Sequence, residues 1–390
     1  MNIFFLAPHP FYQERGTPIA VNLLLQALSQ QGHKVDLLTY HEGTDVAHPG
    51  LTIHRIRRPL LARNVPPGPS LKKILCDLVM LPTALKMARK NKYDLVHAVE
   101  ESVYMAMLIK RRQGIPYLYD MDSSLARQIA EKFKFLKFML PLMARTEGAA
   151  IKHALGVVPV CDALADIARA DGARKIILLR DISLLQPTSG TDREIVQKLI
   201  PENNRPRFMY LGNLETYQGV DLMLESFSRF IKAGGNADLI IAGGKEADIK
   251  KYQNKAASLG IQAQTLFLGH QPVSRMAALF EAADILVSPR IKGNNTPMKI
   301  YSYLASGKAI LATALPTHTQ VLTAEVALLT PPTVDAFAAG MGKLADNVPL
   351  CKQLGQAAQS LAQQSYSHES FLKTAQALYD WVKTELPVKT

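Results

Sequence analysis

The chain has 390 residues, 48% of them apolar and 20% charged, which is long for one domain and comfortable for two soluble globular ones. Its formal charge of +12, from 45 basic and 33 acidic residues, implies an anionic partner such as a phosphorylated metabolite, an acidic membrane face or nucleic acid. No nucleic-acid signature, zinc-spaced cysteines, disulfide framework or membrane-length apolar run is legible, so the chain reads as cytoplasmic, with no nucleic-acid partner.

From the amino terminus, Asn2–Ala7 reads as a buried strand. It lacks the basic flank of a signal peptide and runs straight into Pro8. A helix from Thr17 to Gln31 follows, stopped at Gly32. Further strands are predicted at Lys34–Thr39, Asp94–Ala98, Tyr117–Asp120 and Gly156–Pro159. Leu185–Pro206, rich in proline and polar residues, marks a boundary between a domain of residues 1–185 and one of residues 205–364. Beyond it, strands are predicted at Arg207–Leu211, Ala237–Ala242, Thr265–Leu268, Ile285–Ser288 and Ala309–Ala312. A closing helix, Ser365 to Thr384, carries Phe371, Leu378 and Trp381. Strands alternating with helical periodicity argue for two α/β domains with parallel sheets, which bind ligands outside the carboxyl ends of their strands.

Ser288–Thr313 is the most informative segment. A strand breaks into a loop holding Arg290, Lys292, Gly293, Asn294 and Asn295. A helix is then expected, with Thr296 as N-cap and Pro297 at its first position, ending near Gly307. A basic loop feeding a helix N-terminus at a strand's carboxyl end suits a phosphate, although it equally describes an ordinary strand–helix connection. Upstream, a strand ends at Gly212, and a polar loop leads into a helix starting near Gly219.

These segments occur in order with Arg15-Gly-Thr-Pro18, Gln31-Gly-His-Lys-Val35, Asp94-Leu-Val-His97, Tyr119-Asp-Met-Asp122, Ala242-Gly-Gly244 and Phe267-Leu-Gly-His270. Through its whole length the chain resembles the retaining glycosyltransferases of family 4. The resemblance implies the GT-B fold: two facing, doubly wound Rossmann-like domains with an interdomain cleft, and a C-terminal crossover helix (residues 365–390) packed back on the first domain. It implies a UDP- or GDP-sugar donor, transfer to an acceptor hydroxyl with retained configuration, and no cofactor or metal ion. The setting it suggests is envelope glycan or glycolipid synthesis, with a glycan or lipid-linked acceptor. Backbone donors near Met298 and Lys299, with Arg15 and the turn at Gly16, would hold the diphosphate, because a side chain at Gly16 would crowd it. Gly243 and His270 would lie on the nucleotide side.

The chain departs from the family pattern at four positions. Asn213 and Gln218 stand where an Arg and a Lys usually grip the phosphates, and Asn294 and Ser302 replace two glutamates. Asn294 suits a sugar hydroxyl and Ser302 a ribose hydroxyl, but neither brings charge. Either Arg290, Lys292 and Lys299, with Arg15, take over the cationic role, or the site is repurposed in a non-catalytic sugar-nucleotide or glycan-binding relative that assists a partner enzyme. An epimerase or phosphorylase on the same fold is a further alternative. Asp122 stands where a catalytic-site histidine is usual; it suits the acceptor and equally an N-cap before Leu125–Phe133. Glu100 and Glu101 fall at a carboxyl end, and His97 reads as a core histidine.

Lys132–Met143 interleaves lysines with bulky apolar residues, and Arg55 to Arg63, Lys72, Lys73 and Lys86 to Lys92 add positive charge. This composition suits peripheral contact with an anionic membrane, or a buried helix whose lysines reach out to water.

Overall fold

A computed structural model describes residues 1–13, 16–66, 68, 70–124, 140–200, 202–293 and 295–386. Arg15, Asn294 and the predicted helix Leu125–Phe133 lie outside the described residues, as does most of the Lys132–Met143 segment. The chain divides into two compact units, Met1–Arg180 with the residues from Phe371 onward, and Asp181–Ser370.

The first unit runs β1 (Asn2–Ala7), α1 (Gly16–Gln30), β2 (Lys34–Thr39), β3 (Leu51–Arg55), α2 (Leu71–Lys90), β4 (Leu95–Val99), α3 (Val103–Gln113), β5 (Tyr117–Met121), α4 (Leu140–His153), β6 (Gly156–Pro159) and α5 (Asp162–Ala170). Its strands form a six-stranded parallel sheet in the order β3-β2-β1-β4-β5-β6. Ile3 to Ala7 and all of β4 are buried, as befits central strands covered by helices on both faces. The edge strand β3 is half-exposed and has no apolar run, which hides it from a pattern reading.

The second unit runs α6 (Gly190–Leu199), β7 (Arg207–Leu211), α7 (Val220–Lys232), β8 (Asp238–Ala242), α8 (Glu246–Ser258), β9 (Thr265–Gly269), α9 (Met276–Glu281), β10 (Ile285–Ser288), α10 (Met298–Ala305), β11 (Ala309–Thr313), α11 (Pro316–Thr319), β12 (Leu328–Thr330), α12 (Val334–Ala345) and α13 (Val348–Ser365). Its parallel sheet has the order β12-β11-β10-β7-β8-β9. Both sheets therefore reverse direction between their first and fourth strands. That reversal creates a crevice at the carboxyl ends of β1 and β4 in one unit, and of β7 and β10 in the other.

The final helix, α14 (His368–Glu385), contributes Tyr379 to the first unit's interior. The Tyr379 hydroxyl lies 2.8 Å from His97 Nδ1, and His97 Nε2 lies 3.1 Å from Asp120 Oδ2. The His97 ring also stacks on Phe5, with centroids 4.4 Å apart. His97 is a core residue with both ring nitrogens occupied. Among the described residues no helix is long and apolar enough to cross a membrane.

Candidate functional site

The switch point of the second sheet collects most of the sequence-predicted residues. Gly212, Asn213 and Gln218 follow β7. Arg290, Lys292, Asn295, Thr296, Pro297, Met298 and Lys299 follow β10. Close backbone approach ties the two loops together. The Ile291 N–H donates to the Tyr217 carbonyl at 3.0 Å, and a Cβ added at Gly219 would fall 1.9 Å from the Pro289 carbonyl oxygen. Gly219 has φ 74°, a left-handed conformation that glycine adopts without steric cost. Gly243, after β8, has the same role toward Gly212: a Cβ there would meet the Gly212 oxygen at 2.1 Å.

The start of α10 differs from expectation. Pro297, in extended conformation, is the N-cap residue, and Met298 opens the helix. The Thr296 hydroxyl does not cap it; that oxygen is buried with no hydrogen-bond partner among the described residues. The N-terminal N–H groups of α10 therefore have no side-chain cap.

Arg290 is not the free cation its loop position suggests. Its Nε donates to the Lys292 carbonyl at 2.8 Å and its Nη1 to the Asn295 carbonyl at 3.2 Å. The guanidinium lies 5.1 Å from the Tyr217 ring centroid. Gly293 makes this fold-back possible, since a Cβ there would come within 2.5 Å of Arg290 Nη2. Lys292 itself is exposed.

Lys299 is the unusual residue. Its stem reaches the surface, but its ammonium is out of solvent's reach, with no hydrogen-bond partner and no carboxylate paired with it among the described residues. The ammonium stands 4.0 Å from the Tyr210 ring centroid and 3.4 Å from where a Cβ on Gly212 would lie. Burial, and then the charge of Arg290, hold it well below the usual lysine range. Burial likewise lowers Arg290. His318, on α11, is pushed down to about 3 by burial, with Lys299 and Arg290 adding to the effect. Its Nε2 lies 2.8 Å from Ser288 Oγ, and its Nδ1 lies 2.9 Å from the Thr313 carbonyl. Sequence reasoning missed His318, because only the fold brings it beside the two cations.

The remaining residues sort by exposure. Gln218 is buried, with its side-chain oxygen unpartnered among the described residues. Asn213 is exposed, and its side chain accepts from the Glu215 N–H at 3.2 Å. Ser302 is buried and accepts from the Leu184 N–H at 3.2 Å. His270 is exposed after β9.

In the first unit, Gly16 opens α1 with nothing among the described residues within 4 Å of an added Cβ. Asp122 follows β5. Beside it the Ser123 hydroxyl donates to Glu100 at 3.1 Å, and the Ser124 hydroxyl to Glu147 at 2.6 Å. Glu100 has φ 48°. Lys73, expected on a charged surface, is instead 8% exposed and ion-paired with Glu101 at 2.5 Å and Glu100 at 3.7 Å. The cause is its position on the core-facing side of α2, where buried carboxylates need a cation.

Residues 191–361 match the family Glycosyl transferases group 1, and residues 15–179 match the Glycosyl transferase 4-like domain. No curated protein matches the sequence. Among solved structures, the chain is similar to sucrose-phosphate synthase from Thermosynechococcus elongatus, with 16% identity and a TM-score of 0.81 over 98% of this chain and 99% of that one. It is similar to Anabaena HepE in complex with UDP-glucose, with 15% identity and a TM-score of 0.72 over 98% and 100%. WaaG, a glycosyltransferase involved in lipopolysaccharide biosynthesis, matches with 14% identity and a TM-score of 0.68 over 96% and 99%.

Proposed function

We infer, from a chain that is a GT-B glycosyltransferase related to the group 1 and 4-like families, that it transfers a sugar from a UDP-sugar to an acceptor hydroxyl with retained configuration. The single observation that carries a working donor site is the Lys299 ammonium, held without a partner among the described residues at the β7–β10 switch point beside Gly212. A buried cation with no anion is costly, and a diphosphate oxygen would relieve that cost. The uncapped N-terminus of α10 adds backbone donors suited to the same charge. Lys299 in this reading takes the role that Asn213 and Gln218 cannot fill. Arg290 sustains the positive field from behind Gly293 rather than gripping the ligand.

Negative charge on the departing diphosphate is the main thing such a site must stabilise, and preorganised donors in a dry pocket do so effectively. The reading assigns no step to a metal ion. UDP is favoured over GDP because the similar HepE was solved with UDP and with UDP-glucose. Asp122, at the first unit's own carboxyl edge, is the proposed acceptor-orienting residue. The acceptor is proposed to be a glycan or lipid-linked saccharide of the envelope, as the WaaG description suggests.

Thermal shift against UDP-, GDP-, ADP- and dTDP-sugars tests the donor, because a ligand at a hundred times its Kd stabilises by about 2.7 kcal/mol. Stabilisation by a UDP-sugar, with sugar transfer and a retained anomer seen by NMR, is expected. Binding without turnover on any acceptor would replace this reading with a non-catalytic sugar-nucleotide binder. Response to no nucleotide would remove the donor site altogether.

A further inference from the structure

The helix α2 buries Cys76, Met80, Ala84 and Ala88 against the first unit's core, yet its opposite side is apolar too. Leu71 (79% exposed), Ile74, Leu75 and Leu78 recur at spacings of three and four, so they form one outward stripe over the helix's first half. The loop before it adds Leu60 and Leu61, 91% and 87% exposed. Six of the ten exposed large apolar side chains among the described residues fall in this one stretch. Single exposed leucines are ordinary, but a contiguous patch marks an interaction surface.

The loop is held in place rather than dangling. Ala62 and Val65 are buried beneath it, and the Glu42 carboxylate accepts the N–H groups of Asn64 at 2.6 Å and Val65 at 2.9 Å. Lys72 Nζ donates to the Arg63 carbonyl at 2.6 Å, fastening the loop to α2. Leu61 has φ 72°, a left-handed conformation that a leucine adopts only where its surroundings enforce it.

Charge identifies the occupant. Between Arg57 and Lys92 the chain has nine lysines and arginines and one acid, Asp77. Asp77 is spoken for: it accepts from the Tyr40 hydroxyl at 2.6 Å. Arg57, Arg58 and Arg63 are exposed beside the loop leucines, and Lys86 and Arg89 continue the outer face of α2. We propose that this face docks on an anionic lipid bilayer, with the leucines entering the boundary between headgroups and acyl chains and the cations meeting lipid phosphates. A second copy of the chain would bring like charges together. Side chains that project this far need no matching pockets in a fluid interface, whereas a protein partner would have to supply them. The proposal stands apart from the donor reading, since lipid binding requires no turnover.

Co-sedimentation of the full-length chain with vesicles of phosphatidylcholine, with or without phosphatidylglycerol, tests it. The protein should pellet with the mixed vesicles and stay in solution with phosphatidylcholine alone, and high salt should weaken binding roughly tenfold or more. Replacing Leu60, Leu61, Leu71, Ile74 and Leu78 by serine should weaken it on the order of a hundredfold. R57E, R58E and R63E together should weaken it roughly tenfold or more. These positions are exposed, and an unchanged circular dichroism melt shows that the variants fold. Equal binding by wild type and both folded variants would overturn the proposal by locating the lipid contact elsewhere. So would failure of the wild type to bind either vesicle, or self-association that the serine variant abolishes.

Discussion

The Lys299 ammonium stands 4.0 Å from the centroid of the Tyr210 ring and makes no hydrogen bond among the described residues. The ring's negative face offers some compensation for a buried cation, but less than an anion does. Lys299→Met keeps most of the stem's volume and removes the charge. The ligand-free protein should gain on the order of 1–2 kcal/mol, or about 2–6 °C in Tm. Stabilisation by a UDP-sugar should vanish, and kcat/KM should fall by roughly a hundredfold or more. Because the folded-state pKa of Lys299 lies below its unfolded value, the unfolded chain binds more protons. Stability should therefore rise with pH until the unfolded lysine has titrated, and the methionine variant should lose that slope. Thermal shift over pH, with and without donor, checks both parts; unchanged donor binding in the variant would remove Lys299 from the site.

Gly219 and Gly16 should respond oppositely to alanine. At Gly219 the new Cβ would meet the Pro289 carbonyl oxygen at 1.9 Å, on a backbone at φ 74°. The left-handed penalty and the overpacking together should cost about 2–4 kcal/mol and loosen the junction between the β7 and β10 loops. At Gly16 nothing among the described residues lies within 4 Å of the new Cβ. Gly16→Ala should leave Tm unchanged or slightly raised, while kcat/KM falls roughly tenfold, if a phosphate approaches that backbone. Melting curves beside steady-state kinetics separate the two. A Gly16→Ala enzyme with full activity would mean that the turn approaches no ligand.

His318 sets a pH dependence for the second unit. Burial pushes its imidazole down to about 3, below an unfolded value near 6.5. A group depressed in the folded state gives stability that is present above the unfolded pKa and lost as pH falls toward the folded one. Between about pH 6.5 and pH 5 the second unit should lose about 2 kcal/mol. His318→Gln should flatten that slope at some cost near neutrality, because Ser288 and Thr313 would lose their imidazole partner. Urea titrations at two pH values, followed by hydrogen exchange of β10 and β11 amides, measure it. Equal slopes in wild type and variant would contradict the assignment.

The central strands were legible in the sequence because they are covered on both faces, so β1, β7 and β10 carry continuous apolar runs and β4 is apolar but for His97. The edge strands β3 and β12 were not, being short and half-exposed. Loop positions at the switch point could be read from the order of motifs, but the state of each cation could not. Arg290 folds back on its own loop because Gly293 leaves room, and Lys299 is shut away beneath Tyr210's neighbourhood; both outcomes depend on tertiary packing. Lys73 failed as a surface residue for the same reason. Helical phase places it on the inner side of α2, and its partners Glu100 and Glu101 are remote in sequence.

That inward lysine yields the sharpest stability test in the first unit. Burial pulls the Lys73 ammonium down, and Glu100 and Glu101 more than reverse the effect, holding it above its usual range. Burial pushes Glu101 up, against the opposing pull of Lys73. Lys73→Met would leave Glu101 buried without its cation, a loss of about 3–5 kcal/mol when the carboxyl is ionised. A carboxyl raised in the folded state contributes stability at low pH that is lost as pH rises through its folded pKa. With Lys73 present the carboxyl is pushed up to about 7. Without Lys73 that pKa climbs further, so the penalty should be smallest near about pH 5.5, where the acid is protonated in both proteins. It should grow through about pH 8 and become full only above the variant's raised pKa. The single tryptophan, Trp381, reports on this unit, since its ring packs 3.0 Å from where a Cβ on Gly156 would lie. Its fluorescence during urea unfolding at the two pH values should show the variant's midpoint falling far more in alkali. Equal losses at both pH values would mean that Glu101 does not depend on Lys73 for its charge.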